Sequence, residues 1–424
     1  MLASRRLGWL LAPLTIAALA CGGEGTATPE DDGAGNAGSG AGATSGGGGA
    51  GQGGGGAGEG AGSPADYHLG MVVIDVQETF VDYAANQDMS GIIARTKTSF
   101  ELAGARDLPF FLTYEASKSG DHALHAPLQG SVPSQGAEFI KTTFAATGLP
   151  AFRDAVLASA VSHVVVMGAE TDVCVLQTAL GLRAMGLGVL LQHDAVFSSE
   201  PNVPPALRRM EQAGITLVSE AELAHFVDAP EDLPAPPEAP PSLVAPLTMG
   251  VVLHAFDDAS LSASGDPLKT QKSARLRELL MVSEWFDRPV YVADPNAGLP
   301  SAYSSYYGGA LRPLSQIASD GEVKQLVFAG TDGDLPALLQ SYVASHDLFV
   351  MEDALLASDT AAAQSAALQP FFDQGMVPLT YKTFYYDMTK SVSLSEWPSQ
   401  SWVDKYDEFY WITQAPEDLP PIQP

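Results

Sequence analysis

Val164-Val-Val-Met-Gly-Ala-Glu-Thr-Asp-Val-Cys-Val-Leu-Gln-Thr-Ala-Leu180 reads as a strand, a turn and a helix in succession. The run 164–167 is apolar and rich in β-branched residues, which fits a strand buried on both faces. Gly168 and the polar residues after it break that run. From 173 to 185 the residues favour helix, with Leu176, Leu180 and Met185 on one face. Cys174 therefore falls in the first helical turn. Unpaired N–H groups and the positive end of the helix dipole favour a thiolate there and offer donors to a developing oxyanion. On this reading the thiol should be more acidic than an ordinary cysteine.

A thiol nucleophile also needs a cation and a proton carrier, since free cysteine is mostly protonated near neutral pH and the leaving group must acquire a proton. Asp75 ends the apolar run Met71-Val-Val-Ile74, and Lys141 precedes Thr-Thr-Phe-Ala. Taken singly these are ordinary: a cysteine beside valines is a small core residue, and a strand-end aspartate a turn residue. Their joint order along the chain carries the reading. Residues 67–228 resemble the isochorismatase-like cysteine hydrolases, a superfamily that includes nicotinamidases. The matching pieces are Val-Val-Ile-Asp75-Val-Gln77, Lys141-Thr-Thr-Phe, Gly168-Ala-Glu-Thr-Asp-Val-Cys174 with its helix, and Asp194-Ala-Val-Phe-Ser-Ser followed by Ala206-Leu-Arg-Arg-Met.

The resemblance implies an α/β fold, a doubly wound and mostly parallel sheet with helices on both faces. It places a triad of Asp75, Lys141 and Cys174 at the carboxyl ends of the strands, where such sheets bind ligands. It further implies a cis peptide between Ala169 and Glu170, an oxyanion hole made by the amides of Glu170 and Cys174, and a substrate contact at Gln77. Relatives that open the vinyl ether of isochorismate lack the cysteine, so its presence points to acyl chemistry on a small amide through a thioester. The nicotinamidase branch carries an Asp-x-His pair that binds a metal. Here the comparable stretch is Thr113-Tyr-Glu115-Ala-Ser117, with His122 and His125 further on. Glu115, His122 and His125 are the weaker candidates for a metal site, and no cofactor is assigned.

The chain begins with Arg5 and Arg6, an apolar stretch from 7 to 20, and Ala18-Leu-Ala-Cys21, which looks like a bacterial lipobox. That stretch is too short for a comfortable membrane span. Residues 1–20 thus read as a lipoprotein signal peptide and Cys21 as an acylated anchor, with Gly22 pointing to the outer membrane. Residues 21–64 are nearly all Gly, Ala, Ser and Thr, a flexible spacer reaching roughly 35 Å as a random coil. With Cys21 lipidated, Cys174 is the one thiol left. A net charge of −29 disfavours nucleic acid as a partner.

The remainder repeats itself. Residues 70–75 are echoed by 249–254, Leu108-Pro-Phe-Phe by Arg288-Pro-Val-Tyr, and Asp194-Ala by Asp353-Ala. Domains are expected at 65–228 and 248–414, joined by a stiff Pro-rich linker at 229–247 and followed by a Pro-rich end at 415–424. In the second copy His254 aligns with Asp75 and Pro336 with Cys174, and the offset between matched residues drops from 180 to 162 across the segment holding Lys141. That copy is expected to be degenerate and to serve as an intrachain pseudo-dimer partner, with its aromatic tail packed on it. His254, Asp257, Asp258, Tyr303, Tyr306 and Tyr307 are its candidate site residues. The rival to a hydrolase is a non-catalytic, surface-displayed binding protein on the same fold.

Cys21→Ser should release the protein from membranes or leave it unprocessed, and acyl groups should be found on residue 21 of the wild type. Identical fractionation and migration of mutant and wild type would remove the anchor.

Overall fold

The computed structural model describes residues 68–389, except 85–86, 117–121, 199–202 and 246. The expected signal peptide, Cys21, the spacer and the aromatic tail lie outside the described residues. Strands β1 (Leu69–Ile74), β2 (Phe110–Glu115), β3 (Ala137–Lys141), β4 (His163–Ala169), β5 (Gly188–Phe197) and β6 (Thr216–Val218) form one sheet. Strands β7 (Met249–His254), β8 (Val290–Val292), β9 (Arg312–Pro313), β10 (Gln325–Thr331), β11 (Asp347–Leu356) and β12 (Val377–Leu379) form a second. The sheets have the same order, β3-β2-β1-β4-β5-β6 and β9-β8-β7-β10-β11-β12, and every pairing between strands is parallel. Two copies of one doubly wound α/β fold account for the described residues.

Parallel sheets must be covered on both faces, and the strands alternate accordingly. Met71 and Val73 of β1 pack on one side with Phe100 of α2 (Met89–Ala105) and Leu223 of α6 (Glu220–Asp228). Val72 and Ile74 face the other side with Phe152 of α3 (Pro150–Ala158), Leu180 of α4 (Leu176–Ala184) and Met210 of α5 (Val203–Gln212). A short α1 (Glu78–Tyr83) follows β1. The second sheet is covered on one face by α8 (Lys269–Trp285) and α11 (Tyr381–Thr389), with α7 (Asp258–Ala263) beside them, and on the other by α9 (Leu335–Tyr342) and α10 (Ala361–Phe372). Among the described residues no helix is long and apolar enough to cross a membrane.

The copies share landmarks as well as order. Gly168 and Gly330 have φ of 112° and 110°, and a Cβ on either would lie 2.1 or 2.3 Å from the carbonyl oxygen of Ile74 or His254. Only glycine fits so close a backbone approach. Arg95 Nε lies 3.8 Å from Asp194, and Arg275 Nε 3.7 Å from Asp353. Each aspartate also accepts from the N–H that begins the last helix of its copy, Glu220 or Tyr381. These landmarks correct one alignment. Ile74 pairs with Gly168 and His254 with Gly330, while Asp75 and Ala255 share left-handed backbone, with φ of 49° and 44°. Ala255, not His254, occupies the place of Asp75, because sheet register rather than local similarity sets the match.

The linker packs down on the first domain. Buried Arg183 donates through Nη2 to the carbonyls of Pro237 and Ala239, and His163 Nε2 lies 2.9 Å from the Pro234 carbonyl oxygen. The domains then meet through unlike faces. Asp387 of α11 pairs with Arg209 of α5 and accepts from Gln177 of α4 at 2.8 Å and from the Val244 N–H at 3.2 Å. Arg208 reaches Glu352, Gln212 donates to the Met376 carbonyl, and Tyr386 packs edge-on against Phe144.

Removing one partner of a buried ion pair strands the other charge. Asp387→Ala should therefore cost about 3–5 kcal/mol in urea unfolding. Arg208→Ala, which breaks a part-exposed pair, should cost about 0.5 kcal/mol or less. Equal losses would show that Asp387 does not bear on stability as argued.

Candidate active site

Three parallel strands deliver their last residues to one point. β1 ends just before Asp75, β2 ends at Glu115 and β3 ends at Lys141. The turn after β4 supplies Cys174. Lys141 Nζ lies 2.5 Å from Asp75 Oδ2, donates to Cys174 Sγ at 3.3 Å and stands 3.8 Å from Glu115 Oε2. Asp75 and Lys141 are wholly buried and Cys174 is 3% exposed. The Thr113 hydroxyl donates to the second oxygen of Asp75 at 2.8 Å. The three residues proposed from sequence are thus brought within close ionic or hydrogen-bond reach of one another.

Glu115 joins them in a different place from the one its metal-site reading required. Its carboxylate lies 3.8 Å from Cys174 Sγ, positioned to accept the thiol proton, and its side chain is 32% exposed. Gln77 clamps its backbone: the Glu115 N–H donates to Gln77 Oε1 at 2.7 Å, and Gln77 Nε2 donates back to the Glu115 carbonyl at 3.2 Å. The structure thus gives Gln77 a positioning task that its assignment as a substrate contact did not foresee. His125 is paired with Glu78 at 2.6 Å, and His122 lines a cavity with Tyr114, Gln129 and Glu138. Among the described residues the group with metal-ligand spacing is Asp75, Glu115 and Cys174, whose ligand atoms lie within 4.8 Å of one another, and neither histidine belongs to it. The Lys141 ammonium already stands in contact range of all three, where a cation would sit.

The turn that carries Cys174 is wider than a helix start suggests. Residues Thr171–Val175 form a π-turn that runs into α4, and the Val173 and Val175 N–H groups both donate to the Glu170 carbonyl, at 3.0 and 3.1 Å. Such turns recur at functional sites. The peptide between Ala169 and Glu170 is cis, as the resemblance implied.

Electrostatics correct the expectation of an acidic thiol. Burial pushes the Cys174 pKa well up; Lys141 opposes that, while the carboxylates of Asp75 and Glu115 add to it. Burial also raises the Glu115 pKa, against the pull of Lys141, with Asp75 and Glu170 adding to the rise. For Lys141 burial works against the charged form, yet Asp75, Cys174 and Glu115 outweigh it and hold the ammonium protonated. Burial thus favours the neutral thiol at Cys174, while the neighbouring charges favour the ammonium at Lys141.

Among its described residues the second domain has no such assembly. Its β9 is two residues long, so no strand runs on to the place of Lys141, and Ala255 and Pro336 stand for Asp75 and Cys174. His254, half-buried, has its pKa lowered by burial against the opposing pull of Asp334 and Asp332. Tyr303 and Tyr307 belong to the apolar core of that copy.

The family model described as the isochorismatase domain matches residues 70–222. No curated protein matches the chain. Among solved structures, the chain is similar to the MAR1 ribonuclease of Caenorhabditis elegans at 26% identity, over 42% of this chain and 98% of that one, with a TM-score of 0.35. It is similar to the Escherichia coli YcaC gene product, an octameric hydrolase of unknown specificity, at 22% identity over 38% and 78% of the two chains, with a TM-score of 0.35. The nicotinamidase PncA of Bacillus subtilis is 16% identical over 36% of this chain and 99% of its own, with a TM-score of 0.32. Residues 70–222 of this chain thus match the isochorismatase domain.

Proposed function

We propose that the first domain is a cysteine hydrolase that cleaves the C–N bond of a small amide. The observation that carries this reading is one ammonium, Lys141, in contact with both the Asp75 carboxylate and the Cys174 sulfur in a buried cluster. Cys174 Sγ attacks the amide carbon as its proton passes to Asp75. The tetrahedral oxyanion is met by the amides of Glu170 and Cys174. The C–N bond breaks as Asp75 returns the proton to the departing nitrogen, leaving a thioester. A water then adds to the thioester carbon, its proton passing through Asp75 to the sulfur, and the acid is released. Because the resting group is a thiol, transfer of its proton is coupled to attack, and Lys141 stabilises the sulfur as charge develops.

The shared strand order, the matched ion pairs and the matched glycines support a tandem duplication whose second copy has lost its chemistry and remains as a partner in the same chain. The sequence of residues 1–64 supports a lipid-anchored hydrolase of the bacterial envelope, on the outer membrane.

A panel of primary amides tests the activity. Cys174→Ala should abolish turnover, and Asp75→Asn should lower kcat by about 10²–10⁴-fold. Glu115→Gln should cost less. An equal loss in Glu115→Gln would make Glu115 the base, and turnover surviving in Cys174→Ala would end the cysteine mechanism.

The raised thiol pKa has a definite sign: thiolate forms only at higher pH than in a free cysteine. Alkylation of Cys174 by iodoacetamide should still be rising above about pH 8.5, the ordinary thiol midpoint. A plateau below that pH would show a preformed thiolate.

A further inference from the structure

We propose that the second domain positions the nucleophile of the first, through Lys382 acting on Asp172. This rests on Cys174 being the nucleophile. Asp172 lies in the π-turn two residues before Cys174 and is wholly buried. Its Oδ1 accepts from the Ser198 hydroxyl at 2.7 Å, within the first domain. Its Oδ2 lies 2.9 Å from Lys382 Nζ, which comes from α11 of the second domain and is 14% exposed. A carboxylate this deep needs a cation, and the cation is supplied from the other copy.

The same helix reaches the other half of the site. Tyr386, four residues and one turn on from Lys382, packs at 4.5 Å between ring centroids against Phe144, which lies in the segment just after Lys141. Asp387 fixes α11 in place by its pairing with Arg209 and Gln177. One helix of the catalytically empty copy therefore bears on both the nucleophile turn and the lysine segment.

The charges around the thiol give the sign of the effect. Asp75 from β1 and Glu115 from β2 oppose a thiolate, while Lys141 from β3 favours it; Glu170 follows β4, and Asp172 sits in the turn two residues before the thiol. Arg209 from α5 and Asp387 from α11 neutralise each other nearby. Losing Lys382 removes a cation and leaves Asp172 unneutralised, so the thiolate becomes harder to form.

The test uses the full chain and follows iodoacetamide alkylation of the Cys174 peptide by mass spectrometry against pH. Lys382→Met should move the midpoint upward and slow alkylation at fixed pH, by about tenfold for each unit moved. Lys382→Arg should keep the wild-type profile. The double variant Lys382→Met with Asp172→Asn should return most of the shift, because the stranded carboxylate is gone. With a substrate amide, Lys382→Met should lower kcat more than it changes KM. A Lys382→Met profile that coincides with wild type, even if its thermal midpoint falls, would make α11 a purely structural support and overturn the proposal. An unchanged shift in the double variant would overturn it too. Amide turnover that survives in Cys174→Ala would instead overturn the cysteine mechanism, while the alkylation result would still report on Lys382.

Discussion

A buried ammonium governs this fold's working end. Lys141 is withdrawn wholly from water, a state that costs several kcal/mol for an isolated ion and is sustained only by close counter-charges. Asp75 at 2.5 Å supplies the first, and the thiol and Glu115 complete the shell. The requirement reaches back into the backbone. β3 is an edge strand, and it must run to residue 141 to carry the lysine inward. Asp75 must leave β1 in a left-handed turn, and Thr113 must occupy its remaining oxygen. In the second copy the strand is cut to two residues and no lysine is delivered, so no carboxylate is needed, and Ala255 fills the turn.

Much of this was legible in the chain. Apolar β-branched runs ending in Asp75 and Gly168 marked the strands, and the order Asp, Lys, Cys marked the cluster. The helix after Gly168 was correctly placed, although its first turn is π rather than α, which depends on how the Glu170 carbonyl is shared. The thiol's acidity was misjudged because the helix-start argument counts local dipoles and omits burial and two carboxylates arriving from β1 and β2. Glu115 was noticed for its donor atoms but assigned to the wrong neighbours, since the pairing of β2 with β3, not spacing along the chain, decides what it faces. His254 was matched to Asp75 by local similarity, and only the register with Gly330 shows the one-residue slip. Asp172 and Lys382 carry no local signal at all. Their meaning arises when residues 210 positions apart are brought to one place.

The linker shows the same dependence on tertiary context. Its proline content predicts stiffness, but its course is set by Arg183, buried in α4 and donating to the linker carbonyls of Pro237 and Ala239. A helix beside the Cys174 turn thereby fixes where the second domain begins.

The contact between the copies has a further consequence for assembly. It joins α4, α5 and the Cys174 turn of one copy to α11, β11 and the start of β12 of the other, so it is heterologous rather than self-complementary. A heterologous contact, repeated, builds a ring where its rotation closes and an open row where it does not. Aligned on Gly214 and Gly375, the second copy presents Gln369, Pro370 and Asp373 where the first presents Arg208, Arg209 and Gln212. The second copy therefore lacks the arginine that receives Asp387 in the first.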